Sequence, residues 1–187
     1  MIDKDKIKSA VSSIIEALGD DPNREGLQDT PRRVAEMYTE FFSGLDEDPA
    51  DVLATGFEEG HQELVVLRDI PFFSICEHHF LPFYGSVHIG YIPKGRVVGA
   101  SKLARALEIL ARRPQIQERL TDQLVEALNK TLEPDGVAVV ISAEHLCMSL
   151  RGVSKPGSRI VTSSARGRLR TKAADRQEFF DLIKGIQ

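Results

Sequence analysis

Ile116, Leu120, Leu124, Leu128 and Leu132 recur at an unbroken four-residue interval, and a Pro134-Asp135-Gly136 turn then leads into the β-branched run Val137 to Ile141. A stripe of that kind makes a helix whose apolar face must be buried. The run after the turn reads as a strand, expected to continue to Leu150. A buried helix feeding directly into a strand narrows the fold to one in which helices pack on a sheet. The rest of the chain has to supply the other strands.

From His61 the pattern is one of short strands. Leu64, Val66 and Ile70 alternate in a strand expected to stop before Pro71, since proline cannot donate to a sheet ladder. After an irregular stretch, Ser86 to Ile92 reads as a second strand closed by Pro93-Lys94-Gly95, with Val97 and Val98 briefly extended. Ser101 is placed to cap a helix carrying Leu103, Ala106, Leu107 and Leu110, which Pro114 separates from the leucine helix. Ile160 to Ser163 reads as a last strand and Ala173 to Lys184 as a terminal helix. The order of strand pair, helix pair, strand pair and helix is α+β, without the regular alternation of a doubly wound sheet.

Residues 1–60 read differently. Ile7, Ala10, Val11, Ile14, Ile15 and Leu18 form one apolar helical stripe ending at Gly19. Thr30 as N-cap and Pro31 at the first helical position open another, with Val34, Met37, Tyr38, Phe41 and Phe42 on its face and Gly44 as its stop. Asp46 to Pro49 reads as a polar linker or short turn. Two such helices need an outside surface to bury against, so the expected organisation is a helical region at 1–60 and a catalytic domain at 61–187. With 187 residues, one substantial core with a smaller appendage is the natural size.

A formal net charge of -4 argues against nonspecific duplex nucleic-acid binding, which depends on neutralising many phosphates. No segment approaches the roughly 20 apolar residues that span a bilayer, and the N-terminus lacks a secretory pattern. The expectation is a cytoplasmic protein with neither nucleic acid nor membrane as partner. In that compartment the chain's two cysteines, Cys76 and Cys147, are free for chemistry rather than for a disulfide.

The strongest chemical signal is Cys76-Glu77-His78-His79 together with His145-Leu146-Cys147. Zinc favours thiolate and imidazole donors, and a catalytic site uses three of them so that water can take the fourth position. Cys76 and His79 have the spacing of two donors on one loop. If the strand from Val137 runs to Leu150, His145 and Cys147 share a face, so that one can bind an ion while the other faces substrate. Two thiolates and one imidazole make Cys76, His79 and Cys147 the ligands and leave His78 and His145 free as acid and base. A structural zinc with His145 as fourth ligand, or two cysteines serving only as small core residues, stays open on spacing alone. His61 and His88 read as solvated or structural.

Ser101, Lys102 and Arg105 lie at the opening of a helix, where free backbone N–H groups and the helix dipole favour an anion. Neither GxxxxGK[ST] nor GxGxxG occurs, so a nucleotide would be held by another device. Arg151, four residues beyond Cys147, is placed to hold a phosphate near the metal, with Lys155, Arg159, Arg166, Arg168 and Arg170 further on. Glu118 reads first as a helix first-turn carboxylate, although a carboxylate also accepts from both N1–H and the exocyclic amine of guanine.

The segments Cys76-Glu77-His78-His79-Phe80, Gly99-Ala100-Ser101-Lys102-Leu103-Ala104-Arg105, Arg113-Pro114-Gln115-Ile116-Gln117-Glu118-Arg119-Leu120-Thr121 and His145-Leu146-Cys147-Met148 followed by Arg151-Gly152-Val153 together resemble the GTP cyclohydrolase I family. Glu25-Gly26-Leu27 and Thr30-Pro31-Arg32-Arg33-Val34-Ala35 extend the likeness toward the N-terminus. The resemblance implies hydrolysis of GTP to 7,8-dihydroneopterin 3'-triphosphate and formate, with zinc-activated water attacking guanine C8. It implies Zn2+ on Cys76, His79 and Cys147, His78 and His145 as the acid–base pair, Glu118 on the guanine edge, and Ser101, Lys102, Arg105 and Arg151 on the triphosphate. The implied fold is the tunnelling fold, a four-stranded antiparallel sheet with two packed helices plus the N-terminal helical extension. The implied assembly is a toroidal homodecamer, a dimer of pentamers with active sites between subunits. Two alternatives differ in class: a tunnelling-fold enzyme for another purine or pterin, and a non-catalytic structural-zinc module.

Overall fold

The leucine stripe is buried against a sheet, and the strand that follows it runs through the middle of two cores. The structure is a computed structural model and describes residues 2–184. In chain order the elements are α1 (Lys4–Ala17), α2 (Thr30–Phe41), a 3-10 turn (Ser43–Asp46), α3 (Pro49–Leu53), β1 (Gly56–Glu58), β2 (Val65–Cys76), β3 (Pro82–Ile92), β4 (Arg96–Val98), α4 (Ala100–Ala111), β5 (Pro114–Gln115), α5 (Gln117–Leu132), β6 (Gly136–His145), α6 (Leu146–Ser149), β7 (Arg159–Gly167), α7 (Arg168–Thr171) and α8 (Ala173–Lys184). Val137, Val139 and Ile141 of β6 join Leu103, Leu107, Leu120, Leu124 and Leu128 in the larger core between the sheet and helices α4 and α5. Ala138 and Val140 face the opposite way and pack with Leu169 and Phe179 from α7 and α8. The period-2 alternation of a strand thus divides one apolar run between two layers.

Among the described residues the main sheet has the order β5-β2-β3-β6-β7. Its four long strands are antiparallel, while the fifth, β5, is two residues long and runs parallel to β2. The expected four-stranded sheet is therefore a five-stranded one. The extra strand forms because the chain leaving α4 passes the end of β2 before entering α5, pairing Ile75 with Pro114 and Cys76 with Gln115. A second, two-stranded ribbon joins β1 to β4.

Other expectations shift for identifiable reasons. β2 does not stop before Pro71 but runs to Cys76. Its partner on the far side, β5, covers only Ile75 and Cys76, so Pro71 sits where β2 is a sheet edge and its missing N–H costs no ladder bond. β6 ends at His145 instead of reaching Leu150, because both neighbours run out there: β3 contributes Phe83 opposite His145, and β7 contributes Arg159 opposite Glu144. Residues Leu146–Ser149 then close a helical turn. The N-cap of α2 is Asp29, not Thr30, and that of α4 is Gly99, which places Ser101 inside the first helical turn. At Asp46 to Pro49, expected as a polar linker or short turn, the 3-10 turn ends at Asp46 and α3 begins at Pro49, with the Asp48 side chain capping Ala50 N–H.

The N-terminal segment is bonded to the sheet-packed helices. Gly44 N–H donates to Arg112 O at 3.1 Å, and the Arg113 guanidinium donates to Gly44 O at 2.8 Å and Glu47 O at 2.6 Å. Leu53 of α3 is fully buried in the larger core. A side chain at Gly44 would run into the Ile109 carbonyl, a backbone atom that cannot step aside. Gly44→Ala should therefore cost about 1–3 kcal/mol through overpacking. Urea unfolding followed by circular dichroism checks this, with Ser43→Ala at the neighbouring exposed position expected to leave the midpoint unchanged.

Candidate active site

The loop joining β2 to β3 carries three of the chemistry-bearing residues. Cys76 N–H donates to Leu81 O, Phe80 N–H donates to Cys76 O, both at 2.9 Å, and Glu77 N–H donates to Gln115 O at 3.0 Å. The tight return puts Phe80 at φ 51, the left-handed region that bulky residues avoid. Its ring compensates by packing beside Tyr38 and Phe42, with centroids 6.3 and 5.9 Å away. Arg119 of α5 forms a two-pronged ion pair with Glu77, one arm at 2.9 Å, and this guanidinium holds the Glu77 carboxyl below its ordinary value. Within the loop the Cys76 thiol lies 3.8 Å from His78 Nδ1.

The donor atoms of Cys76, His79 and Cys147 all lie within 4.8 Å of one another. Cys147 reaches this point from the helical turn α6, not from an extended strand, so the shared-face argument for His145 and Cys147 does not hold. Burial raises the Cys147 thiol above its ordinary value and nearby Cys76 raises it further, against a smaller lowering by Arg151. A Cys147 thiol that resists ionisation beside a second cysteine is a poor arrangement by itself and a good one around a divalent cation, which reverses the balance. Two sulfurs and one imidazole nitrogen are donors that zinc favours, and tetrahedral zinc would hold its sulfurs roughly 3.8 Å apart. The residues fit such an ion.

The loop behind Cys147 is anchored by Glu144. Its carboxylate accepts from the Ser149 hydroxyl at 2.6 Å and from Gly157 N–H at 2.9 Å, and these bonds hold it below the ordinary carboxylate value, with a smaller contribution from Arg159. Arg159 instead directs its hydrogen bonds to Ser142. Arg151, exposed at the head of this loop, donates to His79 Nε2 at 2.8 Å. A cation for phosphate thus stands beside the donor cluster.

His145, at the end of β6, is buried and stacked on Phe83 with ring centroids 4.5 Å apart and planes 4° from parallel. Its Nε2 lies 2.8 Å from Oε1 of buried Gln117. Burial lowers its pKa from the ordinary value, opposed by the charge of Glu118. Glu118 is exposed in the first turn of α5, next to Gln117, so a guanine edge bound there would lie near His145.

Ser101, Lys102 and Arg105 are not brought to this cluster within one chain. The far end of α4 is fixed beside β2, where the Ser74 hydroxyl donates to Ala111 O at 2.6 Å. Arg105 lines a groove with Ile70 to Phe73, further back along β2. Lys102 precedes Ala111 by nine residues, or roughly 14 Å of helical rise. Gln117, Arg119 and Glu144 were not singled out by sequence reasoning. Gln117 and Arg119 fall inside a motif quoted for the resemblance, and nothing in their local pattern distinguishes a buried amide from a solvated one.

The family model described as GTP cyclohydrolase I matches residues 7–184. The chain is 59% identical over 186 residues to the GTP cyclohydrolase 1 of Dehalococcoides mccartyi, covering 98% of each chain. It is 59% identical over 185 residues to that of Halalkalibacterium halodurans and 55% over 184 residues to that of Streptococcus suis, again covering 98% of each. Among solved structures, the archaeosine synthase QueF-Like is similar at a TM-score of 0.43 and 20% identity, over 56% of this chain and 94% of that one.

A carboxylate with a depressed folded pKa contributes order that is complete above the ordinary value of about 4.3 and lost as pH falls through the depressed one. The loop held by Glu144 should therefore stay closed through neutral and mildly acidic pH and open only below that ordinary value. Glu144→Gln should reproduce the opening at neutral pH, lowering the hydrogen-exchange protection of Gly157 several-fold while Val139 in β6 keeps its own.

Proposed function

The chain belongs to the GTP cyclohydrolase I family, and we propose how its residues carry out that family's reaction, the hydrolysis of GTP to formate and 7,8-dihydroneopterin 3'-triphosphate. The observation that carries the reading is the convergence of Cys76, His79 and Cys147 beside a buried, oriented His145. Cys76, His79 and Cys147 would hold zinc. When bound, zinc supplies a Lewis acid that makes hydroxide available near neutral pH.

The other groups orient GTP and move protons. Glu118 accepts from the guanine N1–H and amino group, which sets the imidazole half of the purine toward His145. A proton delivered to N7 by His145 or His78 makes C8 electrophilic, so that water adds there and the ring opens to a formamide. Hydrolysis of the formamide releases formate. The same two imidazoles then serve the ribose opening and the closure of the new ring, while Arg151 keeps the phosphate end from leaving. Ser101, Lys102 and Arg105, standing at the other end of α4, would meet this substrate from a second copy of the chain.

A shared site fits the exposed edges of the sheet, β7 on one side and β2 before Ile75 on the other, which closure into a ring would pair. The hairpins β2-β3 and β6-β7 with α4 and α5 on one face support reading the fold as the tunnelling fold, in a toroidal decamer. Residues 1–60, which carry no candidate site residue, form the helical region, and 61–187 the catalytic domain. Among the described residues no helix is long and apolar enough to cross a membrane, and we place the enzyme in the cytoplasm.

Zinc-loaded protein incubated with GTP should release formate and gain dihydropterin absorbance together, with zinc analysis giving one ion per chain; formate without pterin would mean that the chain stops after ring opening. His78→Ser should lower pterin formation by about 10²–10⁴-fold with zinc retained, and loss of the ion in that variant would show His78 to be misassigned. Cys147→Ser should lose both. Mixing and reassembling Lys102→Ala with His145→Ala should restore activity that neither has alone; continued inactivity of properly mixed oligomers would place the complete site within one chain.

A further inference from the structure

We infer that Gln117 is the positioning residue for His145, fixing its imidazole as the Nε2–H tautomer so that protons enter and leave at Nδ1. The assignment follows from the hydrogen-bond network. Gln117 Nε2 lies 3.1 Å from Ile141 O and 3.0 Å from Ile160 O, on the adjacent strands β6 and β7. Carbonyl oxygens only accept, so this end of the side chain is the NH2 group, and flipping the amide would press its oxygen against both of them. The other end, Oε1, is then the atom 2.8 Å from His145 Nε2. It can only accept, so Nε2 carries the hydrogen.

The surrounding hydroxyls agree with this orientation. Thr121 donates to the Gln117 backbone carbonyl at 2.7 Å, so its oxygen accepts from Thr162, also at 2.7 Å. Thr162 Oγ1 in turn faces Gln117 Nε2 at 3.1 Å as a third acceptor, sharing the two amide hydrogens with the carbonyls. Gln117 is 1% exposed and His145 7%, so bulk water does not offer an alternative network. The Phe83 stack holds the ring plane while Gln117 holds its rotation. His145 Nδ1 has no partner among the described residues.

The bond to Gln117 serves both protonation states. As a base, His145 offers the Nδ1 lone pair; as an acid it gives back a proton from Nδ1, and Nε2–H stays on Oε1 throughout. The ring therefore need not turn between accepting and donating. The catalytic use of that proton rests on the proposed reaction, whereas the tautomer does not.

Nitrogen-15 histidine labelling of the zinc-loaded enzyme tests the tautomer directly, with the His145 ring assigned by its absence from His145→Asn. The expected pattern at neutral pH is a protonated Nε2 with a bare Nδ1; a protonated Nδ1 with a bare Nε2 would overturn the inference. Gln117→Met keeps the volume and removes the acceptor, and should lose that pattern and lower kcat about tenfold or more, with KM for GTP and zinc content close to wild type. Unchanged kcat in a folded Gln117→Met enzyme would also overturn it. If that variant does not fold, the wild-type spectrum still decides. Failure of the wild-type enzyme to release formate would remove the proposed function and leave the tautomer standing.

Discussion

The site depends on the register of three antiparallel strands. Pro82 pairs with Ile75 and Phe83 pairs with His145, so β2 ends, β3 begins and β6 ends at one level of the sheet. That common edge brings Cys76 and Cys147 together from opposite halves of the sequence. A slip of one residue would turn every side chain of a strand to its other face, and would move apolar residues out of both cores at once. Packing of β6 between two layers thus specifies the position of the donor atoms, and Cys76 and Cys147 themselves pack with the larger core.

One polar side chain buried at this edge has partners at both ends of its amide. Gln117 meets two carbonyls, a hydroxyl and an imidazole, a set no apolar replacement could satisfy. Its burial gives orientation more than stability. The Glu77 and Arg119 pair works differently: both side chains are about a third or more exposed, so screening by water limits its energetic weight. Its importance is geometric, since together with the β5 pairing it fastens the donor loop to the helix that carries Gln117 and Glu118.

Much of the architecture was legible where periodicity is strong. The leucine series and the β-branched run could be read as α5 and β6 because burial imposes a repeat on sequence. Strand ends were not legible, because they depend on where neighbours stop: Pro71 lies inside β2 only because β5 is so short, and β6 ends at His145 because β3 and β7 offer nothing beyond. The spacing of Cys76 and His79 pointed to a donor loop, whereas the route of Cys147 through a helical turn had no local signal. The cap pair Asp48-Pro49 carries the local signal for α3 inside a stretch whose composition reads as a linker or short turn. Ser101, Lys102 and Arg105 show a further limit: a helix start advertises an anion site without saying which copy of the chain will use it.

Phe80 ties the donor loop to the rest of the molecule in a way the motif does not reveal. Its left-handed backbone is supported by the rings of Tyr38 in α2 and of Phe42, which caps that helix, a helix with no chemical role of its own. The catalytic portion is consequently not portable: a fragment beginning after the first helices would retain every donor, acid and base yet lack the wall against which its loop is bent. Evolutionary or engineered exchange of the amino-terminal region would therefore be constrained at the positions of Tyr38 and Phe42, while the remaining outer surface of those helices could diverge.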